Sequence, residues 1–381
     1  MLNFFPRIYE GELLYSVISR YRLKAGIINK RALMKDLYGK EVTLNSVYFP
    51  VHIEALVNNM PPNIIVNEKD IIENNTLFKI FSAFLDENRR KVVYNGMLNE
   101  EGFNAFQPLG LVGSKVLMKD KLFFCEKCTM EDIEGYGESY WRVIHQVPGV
   151  YTCSKHKVFL KESEVLSSNS RIEYICLDKN IKGKEIVDNF DFININLKYV
   201  DMIEELYKLE LKSKNKEFFD AFFIDKLREK GFTSKNGSLK HNEIEEAFIE
   251  YYTQEYLMLM QSKVEKGNSW LRKFIRNSKK QKNILRHLLM IQFLGLTIEE
   301  VFNTEEVKGK EKYIYIPNPR LDRDIQRERW LQVLKDNPGL NKSQYKKIGK
   351  GLYSWLYKND NEWFEQVTSK NIYKNKRNCE I

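Results

Sequence analysis

Two short knuckles of cysteine and histidine constrain this chain more than any other feature. "CEKC" supplies Cys125 and Cys128, and "CSKH", shortly after a Pro-Gly turn, supplies Cys153 and His156. C-x2-C followed at long range by C-x2-H is how a chain surrounds one ion tetrahedrally. Thiolate and imidazole together match the borderline softness of Zn2+. Four protein ligands leave no open position for water, so the expected cofactor is structural: at least one zinc ion, stapling a segment with few apolar residues of its own. His145 and Cys176 are the substitutes for a place in this set. His145 reads more simply as a hydrogen-bonded interior imidazole, and Cys176 as a small buried apolar side chain. Cys379 near the terminus is expected to be free.

Five cysteines in 381 residues suit a reduced compartment better than a disulfide framework. The opening "MLNFFPRIYEGELLYS" has no basic segment leading into an apolar one, which argues against a secretory signal. No apolar run approaches the ~20 residues of a membrane span. The expectation is a cytoplasmic protein with no membrane partner. With 43% hydrophobic and 13% aromatic residues, the chain can bury a real core.

Around the knuckles the texture is helical. Leu13, Leu14, Val17, Ile18 and Tyr21 recur at helical spacing over 10–25, a second helix spans Lys30 to Tyr38, and 75–97 reads as one more. From about 110 to 180, "KLFFC", "VYTC" and "RIEYIC" read as short β pieces in a turn-rich module. Residues 178–200 read as a connector. "EFFDAFFIDKLREKG", "EIEEAFIEYYTQEYLMLM" and "NILRHLLMIQFLG" read as helices, and "YIPNPR" as a loop or linker. The predicted fold class is therefore mainly α: a multi-domain helical protein with helix-turn-helix-type units and a small zinc-finger module with short β pieces. Its expected domains are 1–110, an N-terminal helical domain; 111–180, the zinc-finger module; 200–312, a helical domain with a basic helix; and 316–381, a C-terminal helix-turn-helix-like unit.

Charge is distributed unevenly. From residue 260 onward there are 26 Lys/Arg against 14 Asp/Glu, whereas the first 259 residues carry 35 against 38. A basic C-terminal third is the footprint of a polyanion partner. "WLRKFIRNSKKQKNILRHLL" interleaves Arg272, Lys273, Arg276, Lys279, Lys280, Lys282 and Arg286 with apolar residues, a pattern that lays cations along a phosphate backbone. In "LNKSQYKKIGKGLYSWLYKND", Gly349 and Gly351 mark a turn between two helices. Leu352, Trp355 and Leu356 are expected inward, and Lys346, Lys347, Lys350, Tyr353 and Lys358 outward. The predicted DNA-contacting set is completed by Arg323, Arg327, Lys342 and Tyr345. There is no GxxxxGK[ST], HExxH or GxSxG, and no spaced carboxylate set, so catalysis is not expected.

Several stretches together resemble the TnsD/TniQ family of transposition target selectors. "FPRIYEGELLYSVISRY" is similar to that family's opening. "FFCEKC" followed by "YGESYWRVIHQVPGVYTCSKH" is similar to its zinc segment, with Tyr136, Gly137, Trp141, His145, Pro148 and Gly149 in place. "WLYKNDNEW" resembles the C-terminal extension of the DNA-reading TnsD members. The likeness is loose over 160–260. "KNKRNCEI" follows one such unit, and the expectation is a chain either short for that branch or truncated. The resemblance implies a bacterial, nucleoid-associated DNA-binding protein for transposition and DNA recombination. Such a protein marks the insertion site of a Tn7-like transposon on double-stranded DNA and recruits a TnsC-like AAA+ ATPase, and through it the other transposase subunits. The alternative it implies is a TniQ-type adaptor joined to an RNA-guided CRISPR effector. Arg20 and Tyr21, in the less basic N-terminal part, are the expected contacts for the ATPase.

Overall fold

The computed structural model describes residues 1–42, 46–100, 102–167, 172–210, 212–234, 236–276, 281–305 and 322–376. "YIPNPR" and Cys379 lie outside them. The chain forms two compact units, Met1–Glu311 and Lys312–Ile381. The described residues are mainly helical with one small sheet, as the sequence predicts. None of their helices is long and apolar enough to cross a membrane.

The first unit opens with α1 (Leu14–Lys24), α2 (Lys30–Tyr38), α3 (Ile53–Asn59), α4 (Glu68–Asn74), α5 (Phe78–Ser82) and α6 (Glu87–Asn99). The expected helix over 75–97 is instead two. Asp86 caps α6 through the Arg89 N–H, and the cap requires extended backbone where a continuous helix would need helical angles. Next come β1 (Lys121–Phe124), α7 (Glu126–Tyr136), β2 (Lys161–Leu166) and β3 (Gly183–Glu185), an antiparallel sheet in the order β1-β2-β3. "KLFFC" contributes β1, but "VYTC" gives only one bridge, Thr152 to Phe159. The described part of "RIEYIC", residues 172–176, is not strand, although Ile172 and Tyr174 are buried. Its apolar side chains pack without ladder partners.

The unit closes with α8 (Phe192–Lys208), α9 (Lys216–Glu229), α10 (His241–Tyr252), α11 (Gln254–Leu259), α12 (Trp270–Ile275), α13 (Ile284–Leu294) and α14 (Ile298–Asn303). Helix α8 begins inside the expected connector, since Ile203, Tyr199, Val200 and Leu206 bury one face despite the Asn-rich start. The expected long helix from 243 to 260 breaks at Thr253, whose φ is 65°. There the side-chain oxygen caps α11 through the Tyr256 N–H. One continuous apolar core runs from Leu2 to Phe302.

The second unit is α15 (Arg323–Asp336), α16 (Lys342–Asn359) and α17 (Asn361–Lys376), around a separate core of Trp330, Leu334, Tyr345, Leu356 and Phe364. Helix α16 is broken at Lys350, where φ is 39° and ψ −115°, so its two halves form a helix-turn-helix with glycines on both sides of the turn. Gly349 permits close packing: a Cβ there would lie 2.5 Å from Trp330 Cζ3. Gly349→Ala is expected to destabilise this unit by about 1–3 kcal/mol through overpacking. Lys350→Gly should stabilise it by about 1 kcal/mol, because only glycine adopts that backbone without strain. Amide hydrogen exchange over 323–369 reads both changes, and protection that moves in the same direction for both would contradict this account.

Candidate metal centre and nucleic-acid interface

Cys125 follows β1 directly and occupies the N-cap position of α7, which places Cys128 within the first turn of the helix. Cys153 and His156 sit on a second tight turn, closed by Lys157 N–H to Cys153 O at 2.8 Å and completed by Lys157 at φ 53°. The sulfurs of the three cysteines and Nδ1 of His156 lie within 4.8 Å of one another. The Nδ1 atom is 3.5, 3.3 and 3.6 Å from the sulfurs of Cys125, Cys128 and Cys153, and Cys128 and Cys153 are 3.6 Å apart. Bond lengths of about 2.3 Å to sulfur and 2.1 Å to nitrogen make the edges of a tetrahedron about 3.6–3.8 Å long. The donors therefore fit one four-coordinate ion. His156 Nε2 pairs with Glu131 at 3.0 Å, which fixes the proton on Nε2 and leaves Nδ1 free to bind metal. Glu131 also holds Lys155 at 2.6 Å, and the hydrogen bonds from both partners keep its carboxyl below the usual range. Hydrogen bonds from Cys128 and Cys153 pull Cys125 down toward thiolate, while Cys128 and Cys153 rise.

The knuckles are held by groups outside them. Asn196 on α8 accepts from the N–H groups of Tyr151 and Thr152, both at 3.0 Å, and donates to Gly149 O at 2.7 Å. Gly149 lies so close to α11 and α13 that a Cβ would meet Met260 at 2.7 Å and Leu285 at 2.9 Å. Buried Lys119 donates to the carbonyls of His145 and Val150 at 2.7 and 2.6 Å. The imidazole of His145 stands outside the ligand set, and burial depresses it to about 3. Cys176 also stands outside, its thiol raised to about 11 by burial. The sequence offered no signal for Asn196 or Lys119, because both sit far along the chain from the loops they hold.

The family model described as Tn7-like transposition protein D matches residues 201–323 and 306–381, and the TniQ model matches 3–160. The chain belongs to the TnsD/TniQ family. It is similar to Transposon Tn7 transposition protein TnsD of Escherichia coli, at 21% identity over 369 residues, covering 94% of this chain and 72% of that protein.

The cations predicted to meet DNA divide in the structure. Lys346, Lys347 and Lys350 on α16 are exposed and have no carboxylate partner among the described residues, as are Arg323 on α15 and Lys273 and Arg276 at α12. Lys342 is paired with Glu365 at 2.6 Å, and Arg327 with Asp360 at 2.7 and 3.1 Å. Arg272 binds Glu245 through two bonds of 2.8 and 2.9 Å, which hold that carboxyl near 2. Tyr353 is half-buried against Trp330 and Phe364. Lys279 and Lys280 lie outside the described residues. Two expectations are corrected. Tyr345 is fully buried and donates to Asn337 O at 2.7 Å, so it is part of the core. Lys282 is enclosed, paired with Asp220 and held over the Phe274 ring at 4.5 Å.

Arg20 and Tyr21 are corrected as well. Arg20 is 2% exposed, and its guanidinium is used up by Glu12 at 2.9 and 2.7 Å, Glu138 at 2.7 Å and the Arg7 carbonyl at 2.5 Å. Tyr21 is buried and donates to Asp36. Both sit on the inner face of α1 and hold the fold, so neither can touch a partner. Periodicity placed Tyr21 on the apolar face, and a charged residue beside it had to be paired to be buried.

Proposed function

We propose that this protein is a target selector for a Tn7-like transposon: it binds a defined duplex sequence, marks it for insertion and recruits an AAA+ ATPase of the transposition machinery. Family membership supports the transposition role. The observation that carries the DNA-binding part is the α15–α17 unit, in which a helix-turn-helix with its own core leaves Lys346, Lys347 and Lys350 exposed, with no carboxylate partner among the described residues. Such cations neutralise phosphates, and side chains beside them read base edges. The Cys125, Cys128, Cys153 and His156 set would hold one structural zinc. That ion would fix the loops at 139–153 against α1 and α8, leaving the chemistry of strand transfer to other subunits. The division into residues 1–110, 111–180, 200–312 and 316–381 is retained as a division of labour, with the ATPase docking on 1–110. Because residues 1–110 share a core with 111–303, surface charge reversals test that docking more cleanly than deletion.

Sequencing the fragments that the purified protein retains from a genomic pool tests the reading. Enrichment of one motif without guide RNA is expected, and retention of fragments with no common motif would sink it. Lys346→Ala with Lys347→Ala should weaken binding to every duplex and flatten the log–log salt dependence by about 0.9 per lost phosphate contact. A titration at several salt concentrations measures that slope.

A further inference from the structure

Arg286, named above with the basic stretch, sits in a setting unlike that of its neighbours. Arg286 stands in the first turn of α13, where the helix dipole disfavours positive charge. Its guanidinium carbon lies 4.6 Å from the centre of the Trp270 ring. Its Nε is sealed from solvent with no hydrogen-bond partner, and no carboxylate among the described residues pairs with it. The carboxylates that meet other cations of this stretch are already engaged: Glu245 binds Arg272 and Asp220 binds Lys282. Burial lowers Arg286 only to about 10, so it remains charged at neutral pH. Lys273 follows Trp270 by one helical turn, exposed and also without a carboxylate among the described residues, and Arg276 follows it.

We infer that Arg286, backed by Trp270, is with Lys273, one turn along α12 from Trp270, a phosphodiester-binding site for duplex DNA in the first unit. The inference rests on the DNA-binding reading above and adds a contact surface apart from the helix-turn-helix. A guanidinium stacked on an aromatic face is weakly hydrated and presents a planar fork that matches two phosphate oxygens. An unpaired, largely desolvated cation gains more from an anion than a solvated one does. Several uncompensated cations in one short stretch suit a run of phosphates better than a single small anion.

Titration of the full-length protein with the duplex it retains, at a series of salt concentrations, tests this. Arg286→Met keeps an apolar stem on Trp270 and removes the charge. It is expected to flatten the log–log slope by about 0.9 and to weaken binding about fivefold at 0.15 M salt, with melting unchanged or raised. Lys273→Met should flatten the slope by a further ~0.9, and the two effects should add. Arg286→Lys guards against a folding defect, since it should keep the slope while weakening binding through loss of the fork. A slope in Arg286→Met equal to that of the parent overturns the inference and leaves the DNA-binding reading intact. A parent protein that binds no duplex at any salt concentration overturns both.

Discussion

Replacing Cys153 with serine is expected to abolish the folded state of the first unit. Serine keeps the size of the side chain but offers no thiolate, and the remaining Cys125, Cys128 and His156 cannot close a tetrahedral site. Structural zinc contributes apparent binding free energies of about 10–16 kcal/mol in small zinc modules, against total domain stabilities of about 5–15 kcal/mol. Losing most of the former consumes the latter. The damage should spread beyond the knuckles, because Cys153 follows the segment that Asn196, Met260 and Leu285 grip, and because Trp141 in the intervening loop donates to Ile175 O and shares one core with α1. The expected result is one equivalent of zinc in the parent protein by elemental analysis. Loss of cooperative melting should follow in Cys153→Ser and on prolonged chelation. Soluble parent protein without stoichiometric metal, melting like Cys153→Ser, would end the structural-zinc account.

Arg20→Met should be the most damaging substitution away from the metal site, at about 3–5 kcal/mol, because it strands a buried charge. Glu12 is 0% exposed, and burial already raises its carboxyl above the usual range despite two bonds from Arg20. Without Arg20 the raising influence is opposed only by the hydrogen bonds from the Tyr9 N–H and from Ser16. The sign of the pH dependence follows. A carboxyl whose folded pKa lies above its unfolded value binds its proton more tightly when folded, so acidification through that window favours folding. The deficit of Arg20→Met should therefore be largest near pH 8 and shrink as pH falls toward 5, and Glu12→Gln added to it should restore part of the loss at pH 8. Chemical denaturation of both variants at the two pH values measures this. A deficit independent of pH would show that packing, and not the stranded carboxylate, dominates.

Legibility from sequence tracked the range of the interaction responsible. Helix α2 was readable to its last residue, because an Asn29 cap and a left-handed Gly39 are local signals. The Cys125, Cys128, Cys153 and His156 cluster was readable because C-x2-C and C-x2-H each declare a knuckle. The splits at Asp86 and Thr253 were not, since a cap inside an apolar-periodic run competes with continued helix, and tertiary packing decides which prevails. The same limit governed the cations. Arg272, Lys273, Lys282 and Arg286 look alike in sequence. Which of them is neutralised depends on Glu245 and Asp220, residues 27 and 62 positions away.

The amino-acid sequence by itself determined a mainly helical chain, a tetrahedral donor set of Cys125, Cys128, Cys153 and His156, and a surplus of positive charge after residue 260. All of these follow from composition or from spacing within a few residues. Tertiary structure alone decided that Arg20, Tyr21, Tyr345 and Lys282 belong to the interior, and that Lys346, Lys347, Lys350 and Arg286 are left without counter-charges among the described residues. Burial and pairing depend on residues that only folding brings within a few ångströms, and those relations, not residue type, settle whether a cation holds the protein together or remains available to a phosphate.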